Sequence, residues 1–274
     1  MSEKANRFLA LHHGPEPLLM ANAWDAGSAR LLAARGFRAL ASTSSGHAAS
    51  LGRLDYGVER EQALAHAGAL AAAVELPVSA DLEDGFGARA EDVAATICEA
   101  IERGLAGCSV EDWNAGEGRL YGLQEAVERV AAAAEAAHSG ERRLVLTARA
   151  ENHLRGNDDL ADTIARLQAY EQAGADVLYA PGLHEPGPLR ALLAAVDAPV
   201  NVLARPGTPT VSELATLGVK RISVGGAFAF AAYAAAIDAA TELLERGTYG
   251  FTAAAARGAQ LAREAFATPR PISL

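Results

Sequence analysis

Residues 75–87 read Glu-Leu-Pro-Val-Ser-Ala-Asp-Leu-Glu-Asp-Gly-Phe-Gly, and the rest of the chain repeats the pattern of this stretch. The apolar run after the proline predicts a short β-strand, and the two glycines lead into a helical pattern that starts near Arg89. If the strand geometry continues past its end, Asp81 and Glu83 leave the same face as hard oxygen ligands suited to Mg²⁺ or Mn²⁺. The alternative is that Asp84 or a neighbour caps the helix and the other acids are solvated.

The same order of strand, turn and helix recurs along the whole chain. Eight short β-type runs alternate with longer alanine-rich helical runs, several of which end at a glycine. The predicted strands begin at about residues 18, 39, 78, 107, 144, 175, 200 and 221. Eight parallel strands in 274 residues fit a closed (β/α)8 barrel, the TIM-barrel fold, better than an open doubly wound sheet. We therefore predict a single α/β barrel domain over residues 1–274.

The C-terminal segment, from about residue 227 to 274, is longer than one closing helix requires. It predicts two or more helices, with Gly247-Thr-Tyr-Gly250 between them. Such surplus helices are candidates for packing on another subunit.

Composition narrows the class of protein. The 34 acidic and 24 basic residues give a formal charge of -10, which disfavours nucleic acid or an anionic membrane as a partner.

Cys98 and Cys108 are interpreted as core thiols in a reducing cytoplasm, and His12 is expected at the surface. The N-terminus lacks the apolar region of a signal peptide, and the apolar run over 227–237 is shorter than the about 18 to 20 residues of a membrane span. These features predict a cytoplasmic protein.

Polar residues collect where the predicted strands end. These residues are Asp81 and Glu83 after the third strand, Glu111 in the fourth, Arg149 after the fifth and Asn201 in the seventh. The catalytic face of a (β/α)8 barrel lies at the C-terminal ends of its strands, and helix capping would not place Glu111 and Arg149 on that same rim. We therefore predict that Asp81, Glu83 and Glu111 hold one divalent ion, directly or through waters.

Arg149 is the predicted anion ligand of this rim. Its guanidinium can grip a carboxylate or a phosphonate with two parallel hydrogen bonds. The alternative is a salt bridge from Arg149 to Glu151 or Glu111.

A run of small hydroxyl residues, Thr43, Ser44 and Ser45, follows the second strand. Small side chains let backbone N–H groups approach an anion closely, so this run predicts an oxyanion site. Trp24, after the first strand, and Asn201 complete the predicted substrate contacts.

Taken in order, the motifs resemble the isocitrate lyase/phosphoenolpyruvate mutase superfamily. The motifs are Asn22-Ala-Trp-Asp-Ala-Gly-Ser-Ala-Arg30, the Thr43-Ser-Ser run leading to Leu51-Gly52 and Asp55, Asp81-Leu-Glu-Asp-Gly-Phe-Gly87, Val110-Glu-Asp112, Ala148-Arg-Ala-Glu151 and Ala173-Gly-Ala-Asp176. The likeness runs from about residue 18 to 235.

The resemblance implies a (β/α)8 barrel whose last helix is exchanged between subunits, giving a homodimer or, where dimers pair, a homotetramer. It also implies Mg²⁺ near the three rim acids, with Asp55 beside the site, and a 2-oxo or 2-hydroxy carboxylate held by Arg149 and the amides of residues 43–45. The chemistry of the family forms or breaks a C–C or P–C bond through a metal-stabilised enolate. On this basis Asp55, Glu111 and Arg149 are assigned catalytic roles.

The loop after the fourth strand departs from the family. Isocitrate and methylisocitrate lyases carry Lys-Cys-Gly-His there, whereas this chain has Trp113-Asn-Ala-Gly-Glu-Gly-Arg-Leu120. The lysine that phosphonopyruvate-processing members carry in this loop is also missing. The proton donor therefore stays open among Glu111, Tyr121 and His47.

The leading hypothesis is a Mg²⁺-dependent carbon–carbon lyase or decarboxylase acting on a small 2-oxo or 2-hydroxy di-acid. One alternative is P–C bond chemistry on phosphonopyruvate. Another is a non-catalytic 2-oxo-acid binder that keeps the metal and anion site without the acid loop.

Overall fold

A computed structural model describes residues 3–140 and 142–267 as a closed barrel of eight parallel strands. The strands in chain order are β1 Leu18–Ala23, β2 Leu40–Ser42, β3 Val78–Asp81, β4 Gly107–Glu111, β5 Trp113–Asn114, β6 Arg119–Leu120, β7 Val145–Arg149, β8 Val177–Tyr179, β9 Val200–Leu203 and β10 Arg221–Ser223. Around the barrel the order is β1, β10, β9, β8, β7, β4, β3, β2, while β5 and β6 form a separate antiparallel hairpin. The predicted (β/α)8 fold is confirmed.

Helices follow the barrel strands and cover its outside. The helices are α1 Glu3–His12, α2 Ala26–Ala34, α3 Ser44–Ser50, α4 Arg60–Ala73, α5 Ala90–Glu102, α6 Leu123–His138, α7 Leu160–Gln172, α8 Pro186–Ala195, α9 Val211–Leu217, α10 Ala227–Thr241 and α11 Thr252–Ala267, with a 3₁₀ turn over Asn152–Arg155. The outer faces of the strands and the inner faces of the helices form the main hydrophobic core, in which Leu146, Leu178, Leu167 and Ile97 are fully buried.

The side chains inside the barrel are more polar than those of a usual packed barrel core. Small hydroxyl side chains point inward from the middle of three strands: Ser79, Ser109 and Thr147 are all buried. A barrel of eight strands is normally filled by bulky branched side chains. Serine and threonine fill less of this space, which leaves room for a cavity that opens at the C-terminal ends of the strands.

Helix α1 closes the opposite end of the barrel, next to the strand N-termini. Phe8 is fully buried there, and a Cβ at Gly107 would lie 2.5 Å from its ring. His12 is buried as well, so its prediction as a surface residue is wrong; the α1 stripe that carries Phe8 also carries His12 inward. The Nδ1 of His12 donates to the Phe8 carbonyl at 2.8 Å, and burial lowers its pKa to about 3.

The interpretation of both cysteines as core thiols is half correct. Cys108 is buried in β4, whereas Cys98 is exposed on α5. The buried positions of α5 include Val93, Ile97 and Ala100, and Cys98 lies on the other side of the helix from that stripe.

The C-terminal segment forms two helices, as expected. Helix α10 continues through a π-helical turn over 242–246, and α11 follows the glycines at 247 and 250. The prediction that the apolar run is too short for a span is wrong. The joined helix Ala227–Arg246 has 20 residues and is, within residues 3–140 and 142–267, the one helix long and apolar enough to cross a membrane. Asp238 does not end the helix, which continues through Thr241 and the π-helical turn to Arg246.

A single helix of this kind is weak evidence for a membrane span. Only 6% of its most apolar stretch is buried within the chain, which is also the pattern of a helix that packs on another subunit. Exchange of the last helix between subunits stays a prediction, and residues 268–274 of the predicted helical segment lie outside the described part of the chain.

Candidate active site

A cavity of about 160 Å³ opens at the C-terminal ends of the strands. It brings together six predicted site residues: Thr43, Ser44, Ser45, Asp55, Asp81 and Arg149. The other lining residues include Asn22, Tyr179, Arg221 and Ser223. The volume suits a small organic acid rather than a polymer or a nucleotide.

Arg149 lies at the centre of a network of buried acids. Its Nη1 donates to Oδ1 of Asp81 at 3.0 Å, its Nη2 lies 2.9 Å from Oε2 of Glu111, and its Nε and Nη2 donate to Oε1 of Glu151 at 3.0 and 2.8 Å. The register of the sheet explains part of this arrangement, because Glu111 and Arg149 are partners on neighbouring strands. Three carboxylates thus occupy both edges of the guanidinium. A two-bond grip on a substrate requires one of these contacts to break.

Three acids next to Arg149 interact closely with one another. Burial, then Asp81, raises the pKa of Asp55; burial, then Asp81 and Asp55, raises the pKa of Glu83 to about 8. No described residue donates a hydrogen bond to the Glu83 carboxylate, although Glu83 is buried. The strand does not continue to Glu83 as expected, because Glu83 adopts a left-handed backbone conformation with φ 49°. Its side chain nevertheless lines a small chamber together with that of Asp81.

These acids fit a hard divalent cation. Neighbouring acids raise the pKa of Asp55 and of Glu83, so this group of carboxylates is short of positive charge, and carboxylates are ligands that Mg²⁺ prefers. Within residues 3–140 and 142–267, no three His, Cys, Asp or Glu side chains converge closely enough to ligate one ion directly. Mg²⁺ usually takes one or two carboxylates and keeps several waters, which this spacing allows.

Glu111 is held away from the cavity wall. Its carboxylate is engaged by Arg149 and accepts a hydrogen bond from the Tyr56 hydroxyl at 2.6 Å. Arg155 also contacts that hydroxyl and lies 4.2 Å above the Trp113 ring. The hairpin that replaces the expected acid loop is therefore tied by Trp113 and Arg155 to the residues around Glu111.

Asp84 has a structural role in the loop, but it does not cap α5 as the alternative supposed, because the N-cap of that helix is Arg89. It accepts from the backbone of Phe86 at 3.0 Å and from the Tyr121 hydroxyl at 2.8 Å. Arg129 donates to the carbonyls of Asp84 and Gly87 at 2.7 and 2.9 Å. These bonds fix the loop that carries Glu83, and they orient Tyr121 towards Asp84.

The hydroxyl run forms the start of α3, with Thr43 as the helix cap. The amide of Ser44 donates to Oδ2 of Asp81 at 3.2 Å, and the Ser42 hydroxyl accepts from the amide of Asp81 at 2.7 Å. One of the amides expected to bind an anion is thus directed at Asp81. Gly46 keeps the turn compact, since a Cβ there would lie 2.6 Å from the Thr43 methyl group.

Two predicted substrate contacts lie outside the cavity lining. The Trp24 carbonyl accepts from Nε2 of His66 at 2.9 Å, and the Trp24 side chain is only half-buried. Asn201 is buried beneath the cavity, where it donates to Ser223 and accepts from Arg221, both at 2.9 Å.

His47 is partly buried against α4. Its ring stacks on that of His66 with 3.6 Å between centroids, and both of its nitrogens are buried without a hydrogen-bond partner among the described residues. Burial, then His66 and Arg53, lowers the pKa of His47 to about 4. The ring is therefore neutral near pH 7.

The lining residues that sequence reasoning missed include Asn22, Tyr179, Arg221 and Ser223. Asn22 and Tyr179 stand at strand ends, so the rule that selected Asp81 could have selected them. Arg221 begins its strand instead of ending it. The one signal for it was a charged residue in a run that otherwise predicts a buried strand.

Comparisons with known sequences support the family. The sequence profile described as phosphoenolpyruvate phosphomutase matches residues 8–244. An uncharacterised protein of Mycobacterium tuberculosis is 33% identical over 234 residues, which cover 84% of this chain and 86% of that protein. The 2-methylisocitrate lyase of Escherichia coli is 30% identical over 212 residues (72% and 70%). An oxaloacetate decarboxylase of Pseudomonas fluorescens is 33% identical over 189 residues (66% and 62%).

Solved structures share the fold over nearly the whole chain. One from Burkholderia cenocepacia, described as a lyase/mutase, is 49% identical with a TM-score of 0.93, covering 98% of this chain and 97% of that one. Oxaloacetate acetylhydrolase in complex with oxalate is 25% identical with a TM-score of 0.85 (95% and 94%). Phosphonopyruvate hydrolase in complex with oxalate and Mg²⁺ has a TM-score of 0.84 (96% and 94%) at 23% identity, which shows the fold alone. The resemblance drawn from the motifs is confirmed: the chain belongs to the phosphoenolpyruvate phosphomutase family, within the isocitrate lyase/phosphoenolpyruvate mutase superfamily, whose members include carbon–carbon lyases.

Proposed function

We propose that this protein is a divalent-metal-dependent carbon–carbon lyase or decarboxylase that acts on a small 2-oxo or 2-hydroxy di-acid. One observation carries the proposal: Asp55, Asp81 and Glu83 form a group of acids short of positive charge, next to Arg149, at the mouth of a cavity of about 160 Å³. A site built only for stability has no need for such a group, because a buried acid without a partner, as Glu83 is among the described residues, costs free energy.

Asp81 and Glu83 would hold the metal, with Asp55 beside it and with Mg²⁺ or Mn²⁺ as the ion. When bound, the ion would supply positive charge that stabilises the negative charge developing on the substrate oxygen as the bond breaks. Glu111 would act indirectly, because its carboxylate pairs with Arg149 and accepts a hydrogen bond from the Tyr56 hydroxyl.

The chain's own residues orient the substrate. Arg149 and the Ser44 amide hold Asp81 from two sides, so its carboxylate is in place before any ligand binds. Leu154, Pro181 and Tyr179 close the cavity wall and limit the access of water. Arg149, which lines the same wall, supplies the fixed positive charge for a substrate carboxylate.

The three candidates for the proton donor are not equally placed. The Tyr121 hydroxyl donates a hydrogen bond to the Asp84 carboxylate, so it is directed at Asp84. His47 is neutral near pH 7. Burial raises the pKa of Glu111 well above its usual value, and Glu111 contacts Arg149, a lining residue. None of the three lines the cavity of about 160 Å³, so the proton donor stays unassigned.

The relatives support the same reaction class. Those named above include a 2-methylisocitrate lyase and an oxaloacetate decarboxylase, and the structural neighbours include proteins that bind oxalate, one of them with Mg²⁺. Oxalate resembles the planar enolate of pyruvate, which a lyase of this type would form.

Calorimetric titration with oxalate tests the proposal. We expect binding in Mg²⁺ that is lost in EDTA, and lost in Asp81→Asn even with Mg²⁺. Asp197→Asn, which changes an exposed acid between α8 and β9, is the matched control and should bind like the wild type. Equal oxalate affinity with Mg²⁺ and with EDTA would contradict a metal site at Asp81.

A second candidate is P–C bond chemistry, because the matching profile is that of a phosphomutase. The hairpin β5–β6 carries no lysine, which argues against it. Release of phosphate from phosphonopyruvate by the wild type, and not by Asp81→Asn, would favour this candidate. Binding of oxalate without turnover of any di-acid would favour the non-catalytic binder.

A further inference from the structure

Arg221 lies at the floor of the cavity, at the end opposite the acids. It is the first residue of β10, its residue surface is 4% exposed, and it lines the cavity together with Arg149. Its Nη1 lies 3.4 Å from Nε2 of His12, which belongs to the helix that closes the barrel bottom. The cavity therefore extends from the rim through the barrel to its floor.

The hydrogen-bond partners of Arg221 are all neutral. Its Nε donates to Oδ1 of Asn201 at 2.9 Å and its Nη1 donates to Oγ1 of Thr147 at 3.0 Å. Since Nδ1 of His12 donates to a carbonyl, Nε2 of His12 is an acceptor without charge. Nη2 donates no hydrogen bond to any residue in the described ranges.

Arg221 also lacks a counter-ion. Among the described residues no carboxylate lies within ion-pair distance of it, whereas Arg149 contacts three. Burial, together with the positive charge of Arg149, lowers the pKa of Arg221 to about 10, while Tyr179 acts in the opposite direction. The guanidinium stays charged near pH 7, and a buried charge without an opposite partner is unfavourable.

The walls of the cavity that Arg221 lines suit a small anion. Ser79, Ser109 and Ser223 line the cavity and can each donate a hydroxyl hydrogen bond. Among residues 3–140 and 142–267, the lining acids are Asp55 and Asp81, which lie at the rim.

We propose that Arg221 and these serines form an anion site at the barrel floor, which takes a single carboxylate or a small inorganic anion such as chloride. If the occupant is the far carboxylate of the substrate, the pair of Arg149 at the mouth and Arg221 at the floor makes the enzyme specific for di-acids; this form of the inference rests on the proposed function. A free inorganic anion would instead neutralise the barrel interior whatever the reaction is.

The test uses metal-free protein in EDTA, so that it does not depend on the metal site. Succinate and butyrate share a four-carbon chain and differ by one carboxylate, and their affinities are compared by calorimetry. The chloride dependence of thermal unfolding is measured at constant ionic strength, with gluconate as the replacement. The variants are Arg221→Met, Arg221→Lys and the exposed control Arg205→Met.

If the occupant is the far carboxylate of the substrate, we expect succinate to bind the wild type about tenfold or more tightly than butyrate. Arg221→Lys and Arg205→Met should keep this preference for succinate. Arg221→Met should lose it. For the free-anion form we expect chloride to raise the unfolding temperature of the wild type and of Arg205→Met, but not that of Arg221→Met.

A wild type that shows neither a preference for succinate nor a response to chloride overturns the inference, even if Arg221→Met does not fold. Responses that persist unchanged in a folded Arg221→Met overturn it too. Failure of the proposed function would appear instead as an absence of Mg²⁺-dependent oxalate binding, which these measurements do not involve.

Discussion

Oδ1 of Asp81 lies 3.0 Å from Nη1 of Arg149, and the other oxygen of the same carboxylate accepts the Ser44 amide at 3.2 Å. The three residues come from β3, β7 and the start of α3, so Asp81 is fixed by parts of the chain that are distant in sequence. The charge of Asp81 is thereby held at the cavity mouth, next to Asp55 and Glu83.

Substitution of Asp81 tests this arrangement. Asp81→Asn keeps the shape of the side chain and removes its charge, so we expect Mg²⁺-dependent oxalate binding to fall by at least about a hundredfold while the barrel stays folded. Calorimetry measures the affinity, and circular dichroism checks the fold. Wild-type affinity in this variant would remove Asp81 from the metal site.

The raised pKa of Glu83 predicts a pH dependence of stability. The folded protein keeps a proton on Glu83 up to about pH 8, whereas the unfolded chain releases it near the usual value of 4.5. Because the folded state binds more protons in this window, the metal-free protein should lose stability as pH rises from about 4.5 to about 8, by a few kcal/mol at most.

The difference between the wild type and Glu83→Gln isolates this effect from other titrating groups. Urea unfolding in EDTA should show the wild type losing stability relative to Glu83→Gln as pH rises, and Glu75→Gln, a change of a largely exposed acid, should follow the wild type. Mg²⁺ should reduce the difference, since the ion replaces the proton. Parallel pH curves for the wild type and Glu83→Gln would contradict the assignment.

Arg149→Lys keeps a positive charge but cannot reach Asp81, Glu111 and Glu151 together. We expect oxalate affinity in Mg²⁺ to fall by about tenfold or more and the free energy of unfolding to fall by about 2 kcal/mol or more. Calorimetry and urea unfolding provide the two numbers. Arg190→Lys, at an exposed position of α8, should change neither the oxalate affinity nor the free energy of unfolding. If Arg149→Lys also left both quantities unchanged, the contacts of Arg149 with the three acids would not matter for binding or stability.

The C-terminal helices predict self-association. Ile237, Leu244 and Tyr249 are 65%, 85% and 65% exposed, an apolar surface that a second copy of the chain could cover. Light scattering should show a dimer or a tetramer, and the double substitution Ile237→Asp with Leu244→Asp should shift it towards monomer. Val211→Asp, at an exposed apolar position outside these helices, should not. A monomeric wild type would contradict this prediction.

Much of the barrel could be predicted because its strands are short apolar runs between proline, glycine and acids. The predicted strand starts at about residues 78, 107 and 200 match the observed strands Val78–Asp81, Gly107–Glu111 and Val200–Leu203. Helix α1 was missed because its role, closing the barrel bottom, depends on contacts with distant strands. The exposed side of α5 that carries Cys98 was likewise decided by packing.

The site was predictable only in part. The rule that function lies at strand ends found Asp81 and Arg149, but it could not show that Arg149 is occupied by three acids, since that depends on the register between β4 and β7. The left-handed backbone of Glu83 is also not visible in the sequence, because non-glycine residues rarely adopt it. Arg221 was missed because it begins its strand.

Turnover of a 2-oxo di-acid tests the central claim most directly. Oxaloacetate and related 2-oxo and 2-hydroxy di-acids are incubated with the wild type and with Asp81→Asn, in equal Mg²⁺ and in EDTA, and the products are followed by NMR. The variant is the essential control, because metal ions alone promote the decarboxylation of oxaloacetate. We expect the wild type with Mg²⁺ to cleave a carbon–carbon bond of at least one compound much faster than Asp81→Asn does. EDTA should abolish the difference between the two rates. Equal rates in the wild type and Asp81→Asn for every compound would contradict a metal-dependent lyase at this site.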